Sequence, residues 1–368
     1  SLLLAARTAD MYESHERRPS CSASLPAAKP HCIQKPALPW SRCTQRKAES
    51  GDCVWLGVFG RVDFIIGLLS RTGVNMEQAI AHEPPDSQTP MNIERVFELC
   101  SEDMAKVDTL IRNSLDSDVV LIRQIAEYII GSGGKRLRPM LVVLASRACG
   151  YEGDHHVALA AIIEFIHTAT LLHDDVVDES DMRRGKDSAH AVWGNAASVL
   201  VGDFLYSRSF QMMVTVESMR VMEVLSDATN TIAEGEVEQL LNMHDPEISE
   251  ERYYSVIEKK TAKLFEAACQ LGAVLADRPG LENSLAQFGR ELGAAFQVAD
   301  DVLDYTADAE TLGKNIGDDL AEGKPTLPLI LGRKLLADDG KGVIDQAIRE
   351  GGIDRMEEVV NLVKSCGA

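Results

Sequence analysis

From Met91 onward the apolar positions follow a helical period. Ile93, Val96, Leu99, Met104, Val107, Leu110 and Ile111 recur close to every 3.6 residues and predict a helix over 92–115. A similar pattern covers 118–130 and stops at Gly131. Pro139 opens another helix, where its missing N–H costs nothing. The run 155–179 is apolar on nearly every face and predicts a buried central helix. Further helices are expected at 195–217, 219–243, 249–276 and 281–306, with shorter ones after Pro325 and Gly340. No segment alternates as a strand would, so the chain reads as all-α, one domain of roughly ten helices.

Composition adds a boundary. Residues 1–90 hold 10 basic and 9 acidic residues, whereas 91–368 hold 27 and 48. The first 90 residues also carry 8 of the 13 prolines. Pro19, Pro26, Pro30, Pro36 and Pro39 punctuate a stretch without period, which reads as a disordered or non-native extension. Cys21, Cys32, Cys43 and Cys53 lack the short paired spacings of a zinc site. The working domain is therefore expected over 91–368. The net charge of −20 argues against nucleic-acid or anionic-membrane binding, since both need a basic surface. The best candidate membrane span, 54–69, is broken by Arg61 and Asp63, so no transmembrane segment is expected. Cys100, Cys149, Cys269 and Cys366 read as buried thiols. No credible signal peptide precedes the domain, which places it in the cytoplasm, with a mitochondrial form as the alternative.

The candidate chemistry sits in two matching pieces, Asp174-Asp175-Val176-Val177-Asp178 and Asp300-Asp301-Val302-Leu303-Asp304. On a helix, positions i and i+4 share a face and i+1 lies beside them, so each piece gathers three carboxylates. Carboxylates this close repel unless a cation joins them. Mg²⁺ takes oxygen ligands and keeps sites for water and phosphate. A solvated acidic helix end is the bland alternative for one piece; a second copy 126 residues later, also flanked by apolar residues, favours metal.

Cations accompany the carboxylates. Gly133-Gly134-Lys135-Arg136-Leu137-Arg138-Pro139 sets a basic, glycine-containing loop before a helix start, where N–H groups and the helix dipole favour an anion. Its spacing is not that of a Walker loop. Arg183-Arg184 follows the first cluster, Lys259-Lys260-Thr261 lies in a later helix, and Lys314 and Lys324 follow the second cluster. Each cation alone is ordinary surface charge. Together they describe a site for two polyanions, one held through metal and one directly.

The segments FIHTATLLHDDVVDESDMRRG, GGKRLRP, KTAKLFEAA and QVADDVLDY…LGKNIGDDLAEGKPTLPL resemble the trans-isoprenyl diphosphate synthases, and within them the long-chain, octaprenyl branch. The resemblance spans about 91–368 and implies an antiparallel helical bundle around a central apolar cavity, acting as a homodimer. It also implies further C-terminal helices beyond a point like Ala368, so the chain reads as truncated. By the same resemblance, Asp174, Asp175, Asp178, Asp300, Asp301 and Asp304 hold Mg²⁺. Arg183, Lys260, Gln297 and Lys324 contact the allylic diphosphate, with Lys314 nearby. Lys135, Arg138, His167 and Arg184 bind isopentenyl diphosphate. The implied reaction adds isopentenyl diphosphate to an allylic primer such as farnesyl diphosphate, for a quinone side chain.

Ala169 and Thr170 lie just before Asp174, where the family's short-chain members carry bulky aromatics. Both are small here, so long products are expected. Such a product needs a tunnel along most of the 155–179 helix, roughly 37 Å. Three other readings stay open at this point. The His173-Asp174 doublet also suits an all-α metal-dependent phosphohydrolase, although that leaves Asp300–Asp304 unexplained. A terpene cyclase normally has a different second motif. A non-catalytic subunit of a heteromeric synthase typically loses carboxylates or arginines that are present here.

Overall fold

Runs of small and branched apolar residues at helical spacing set the helices. The computed structural model describes residues 93–306 and 317–368. Residues 1–90, with the expected extension, and Lys314 lie outside the described residues. Fourteen α-helices run in sequence among them, from α1 (Ile93–Ser114), α2 (Val120–Gly131) and α3 (Leu137–Ala148) to α4 (His155–Val177). A two-stranded ribbon, β1 (Met182–Arg183) and β2 (Lys186–Asp187), precedes α5 (Ala189–Trp193), α6 (Asn195–Val214) and α7 (Met219–Asn242). Next come α8 (Glu250–Ile257), a π-helical turn (Glu258–Ala262), α9 (Lys263–Leu275) and α10 (Pro279–Thr306). The last are α11 (Asp318–Ala321), α12 (Leu327–Leu335), α13 (Asp338–Glu350) and α14 (Met356–Cys366). Ser218 and Ser249 cap α7 and α8 by accepting the N–H groups of Val221 and Arg252.

The fourteen helices among the described residues exceed the roughly ten expected, and beyond shifts of one to three residues at several ends two differences bear on the site. The helix assigned to Pro139 begins at Leu137; proline is tolerated there because first-turn N–H groups have no intrahelical partner. The segment expected as one helix over 249–276 is interrupted by the π turn at Glu258–Ala262, which no apolar period announces.

The buried helix expected at 155–179 is α4, and α1, α3, α6 and α9 pack on it. Leu159, Ile162, Ile163, Phe165, Ile166 and Leu172 are fully buried there. By length and composition α4 is apolar enough to cross a membrane, with mean hydropathy 1.4, yet 72% of that window is buried inside the protein. It is the spine of the bundle. A second apolar cluster joins Tyr305, Leu320, Leu329, Ile344 and Val359, tying α12 to α14 to the end of α10. At the opposite end of α4 from the carboxylates, Asp103 of α1 accepts from Arg147 of α3 at 2.9 Å and lies 3.2 Å from His156 of α4. Cys100, Cys149 and Cys269 are buried as expected, and Cys366 is only partly so.

Candidate active site

The first carboxylate cluster stands at the wrong end of its helix. Asp174 and Asp175 occupy the last turn of α4 and Asp178 caps it, where the helix dipole disfavours negative charge. Cations offset this. Arg183, on β1, donates through Nε and Nη2 to Asp175 Oδ1 at 2.8 and 2.5 Å. Its position comes from a hairpin whose two turn residues, Arg184 and Gly185, both have positive φ, 54° and 75°, as a type I′ turn requires. Lys260 lies 3.6 Å from Asp174 Oδ2. Burial pushes the carboxyl groups of Asp174 and Asp175 up, while Lys260 and Arg183 respectively oppose the shift.

The second cluster is on α10. Asp301 and Asp304 are buried, and Asp300 is half-buried. Tyr253 donates its hydroxyl to Asp301 Oδ2 at 2.6 Å, and Gln297 Nε2 donates to Oδ1 at 2.7 Å. Gln297 Oε1 in turn accepts from the Thr261 hydroxyl at 2.9 Å. Burial, then Asp319, raises the Asp301 carboxyl to about 6. Lys324 donates to Asp319 at 2.9 Å. Lys260, Thr261, Gln297, Asp301 and Lys324 line one cleft. Because Lys260 also touches Asp174, the tertiary fold links both clusters through this lysine.

The glycine-containing loop forms a separate basic patch. Arg184 donates to the Gly133 carbonyl, and its guanidinium lies where a Cβ on Gly134 would come within 2.8 Å. Arg138 stacks on the Phe265 ring at 4.4 Å and donates to His167 Nε2 at 3.1 Å. Burial, with Arg138 and Arg184 adding to it, drives the His167 pKa well down, so the ring is neutral and accepts that bond. Burial also lowers Arg138 to about 10. Lys135 is exposed in the loop. Arg136, which sequence reasoning gave no role, pairs with Glu164 and holds the loop to α4.

One face of α4 remains accessible: His167, Thr170, Leu171, Asp174 and Asp178, at helical spacing. Ala169 is not on it and is fully buried. Upstream of His167 the same side of α4, at Ala160, Ile163 and Ile166, is fully buried. His173 lies 3.2 Å from the Val199 carbonyl and 3.4 Å from Asp203, and so belongs to the α4–α6 contact.

Among the described residues no three His, Cys, Asp or Glu side chains converge as a ready-made metal cage. The donor chemistry nevertheless fits a hard cation, since every candidate ligand is a carboxylate. Asp175 Oδ2 is buried without a hydrogen-bond partner, an oxygen whose burial is unfavourable unless a cation meets it.

Two residues escaped the sequence reading. Glu236 of α7 pairs with Lys260 at 2.6 Å, and Tyr253 holds Asp301. The alternating Glu234, Glu236 and Glu238 around Gly235 were the available signal for the first. Nothing local marked the second.

The all-α bundle, with two aspartate clusters linked through Lys260, has a counterpart among known proteins. The sequence profile of the polyprenyl synthetase family matches residues 119–363, and the chain belongs to that family. It is a prenyltransferase, a trans-polyprenyl diphosphate synthase, and the phosphohydrolase, cyclase and non-catalytic readings are set aside. It is 57% identical to octaprenyl diphosphate synthase of Escherichia coli over 280 residues, covering 76% of this chain and 87% of that one. It is 46% identical to a geranyl-diphosphate-specific all-trans-nonaprenyl-diphosphate synthase of Rhodobacter capsulatus over 269 residues, covering 73% and 83%. A polyprenyl synthase structure from Caulobacter crescentus, complexed with calcium and isoprenyl diphosphate, superposes with a TM-score of 0.73 at 47% identity, covering 76% and 86%.

Proposed function

We propose that the chain makes octaprenyl diphosphate, using farnesyl diphosphate or a similar primer, isopentenyl diphosphate and Mg²⁺. The observation that carries this is Lys260, which lies 3.6 Å from Asp174 and lines the cleft that also holds Asp301 and Lys324, so that it links clusters 126 residues apart. Asp174, Asp175, Asp178, Asp300, Asp301 and Asp304 would hold the metal. When bound, Mg²⁺ supplies Lewis-acid stabilisation of the leaving diphosphate.

The protein's own groups perform the rest. Lys260 and Lys324 fix positive charge where negative charge builds as the allylic C–O bond breaks. Arg183 joins them on the allylic diphosphate, and Gln297 orders the cleft through Thr261 and Asp301. Arg138, Arg184, Lys135 and His167 hold isopentenyl diphosphate across the α4 face. The isopentenyl double bond attacks the allylic cation, forming the C–C bond. A proton then leaves to the departed pyrophosphate, so no side-chain nucleophile is needed. The buried α4 wall keeps water from the cation. The same reading includes a homodimer, for which exposed Leu200 and Val214 on α6 offer an apolar face, a cytoplasmic setting and a quinone side chain as the product's destination.

The test is to incubate the protein with Mg²⁺, farnesyl diphosphate and labelled isopentenyl diphosphate and to size the dephosphorylated product. An octaprenyl alcohol is expected. A shorter dominant product rejects the long-chain assignment, and no extension at all rejects the reading.

A further inference from the structure

Lys260 has a second carboxylate partner that the reaction does not obviously need. Its ammonium lies 2.6 Å from Glu236 Oε2, nearer than Asp174 Oδ2 at 3.6 Å. Both members of the closer pair are largely covered, at 17% and 29% side-chain exposure. The backbone builds this contact. The π turn at Glu258–Ala262 presents two successive lysines to α7, and Glu238 takes Lys259 at 2.7 Å while Glu236 takes Lys260. π turns inside helices recur at functional sites. The helices approach so closely that a Cβ on Gly235 would sit 2.7 Å from the Lys260 backbone nitrogen.

Burial works against both charges. It raises Glu236 to about 7, helped by Asp174 and opposed by Lys260. It also works against the Lys260 ammonium, but Asp174 and Glu236 outweigh it and leave the lysine pKa raised. A lysine on a flexible stem moves to whichever carboxylate is nearest. Without Glu236 that carboxylate is Asp174. The ammonium would then close on Asp174 and neutralise a residue of the first cluster.

We propose that Glu236 is a positioning residue: by sharing the Lys260 ammonium with Asp174 it keeps the lysine from closing fully on that carboxylate and holds it for the allylic diphosphate. This rests on the reading of Lys260 as an allylic diphosphate contact.

The test measures KM for farnesyl diphosphate and for isopentenyl diphosphate at saturating Mg²⁺, with thermal unfolding. The proteins are wild type, Glu236→Gln, Glu236→Asp, Lys260→Ala and the Glu236→Gln/Lys260→Ala double variant. Glu236→Gln is expected to raise KM for farnesyl diphosphate about tenfold and to leave that for isopentenyl diphosphate within about twofold. Glu236→Asp, which keeps the charge but shortens its reach, falls between. The double variant is expected to be no worse than Lys260→Ala alone, because one residue acts through the other. An unchanged or lowered farnesyl KM in Glu236→Gln, equal weakening of both substrates, or additive losses in the double variant overturns the proposal. If Lys260→Ala itself leaves the farnesyl KM unchanged, the assignment of Lys260 fails, and the role of Glu236 falls with it.

Discussion

The Tyr253 hydroxyl donates to Asp301 Oδ2 at 2.6 Å across a buried contact between α8 and α10. Asp301 is therefore fixed by a helix remote in sequence. Tyr253→Phe is expected to lower turnover about tenfold and stability by about 1–2 kcal/mol, because a buried acceptor loses its donor. The lost bond favoured the ionised carboxylate, so the Asp301 pKa, already lifted by burial to about 6, rises further. The acid limb of the turnover profile should move to higher pH. An unmoved limb would separate Tyr253 from Asp301.

Asp174→Asn and Asp301→Asn are each expected to lower turnover by orders of magnitude while the circular dichroism of the fold is retained. Each change removes a ligand charge from a carboxylate cluster, not an apolar contact. Near-normal turnover of either at saturating Mg²⁺ would mean that its cluster has been assigned the wrong role.

Arg138→Lys keeps the charge on α3 but loses the planar fork that stacks on Phe265 and reaches His167. KM for isopentenyl diphosphate is expected to rise by about 1.5–3 kcal/mol in equivalent binding energy, with the primer little affected. Equal weakening of both substrates would point to a purely structural arginine.

Thr170 shares the accessible α4 face with Asp174, whereas Ala169 is packed in the core. Thr170→Phe is expected to shorten the product with little change in thermal stability. Ala169→Phe should instead destabilise the fold by about 1–3 kcal/mol through overpacking. Product masses and melting curves of the two variants check this, and a shortened product from Ala169→Phe alone would reverse the assignment.

A chain comprising residues 91–368 is expected to turn over within about twofold of the full chain, since the amphipathic pattern and the family match both lie inside it. A large loss of activity would make residues 1–90 part of the working enzyme.

The sequence by itself determined the helical class, the spine at α4 and both aspartate clusters, because helical period and i, i+4 carboxylates are local properties. It also supplied Arg138, Lys260 and Lys324 through their motifs. Tertiary structure alone decided which oxygen each cation meets. Arg183 is turned onto Asp175 by a two-residue hairpin, and Lys260 is shared between Asp174 and Glu236 by a π turn. It also decided which side of α4 is accessible: periodicity cannot tell Thr170 from Ala169 on a helix apolar all round. Only the neighbours packed on each face do that, and they come from α1, α3, α6 and α9, far apart along the chain.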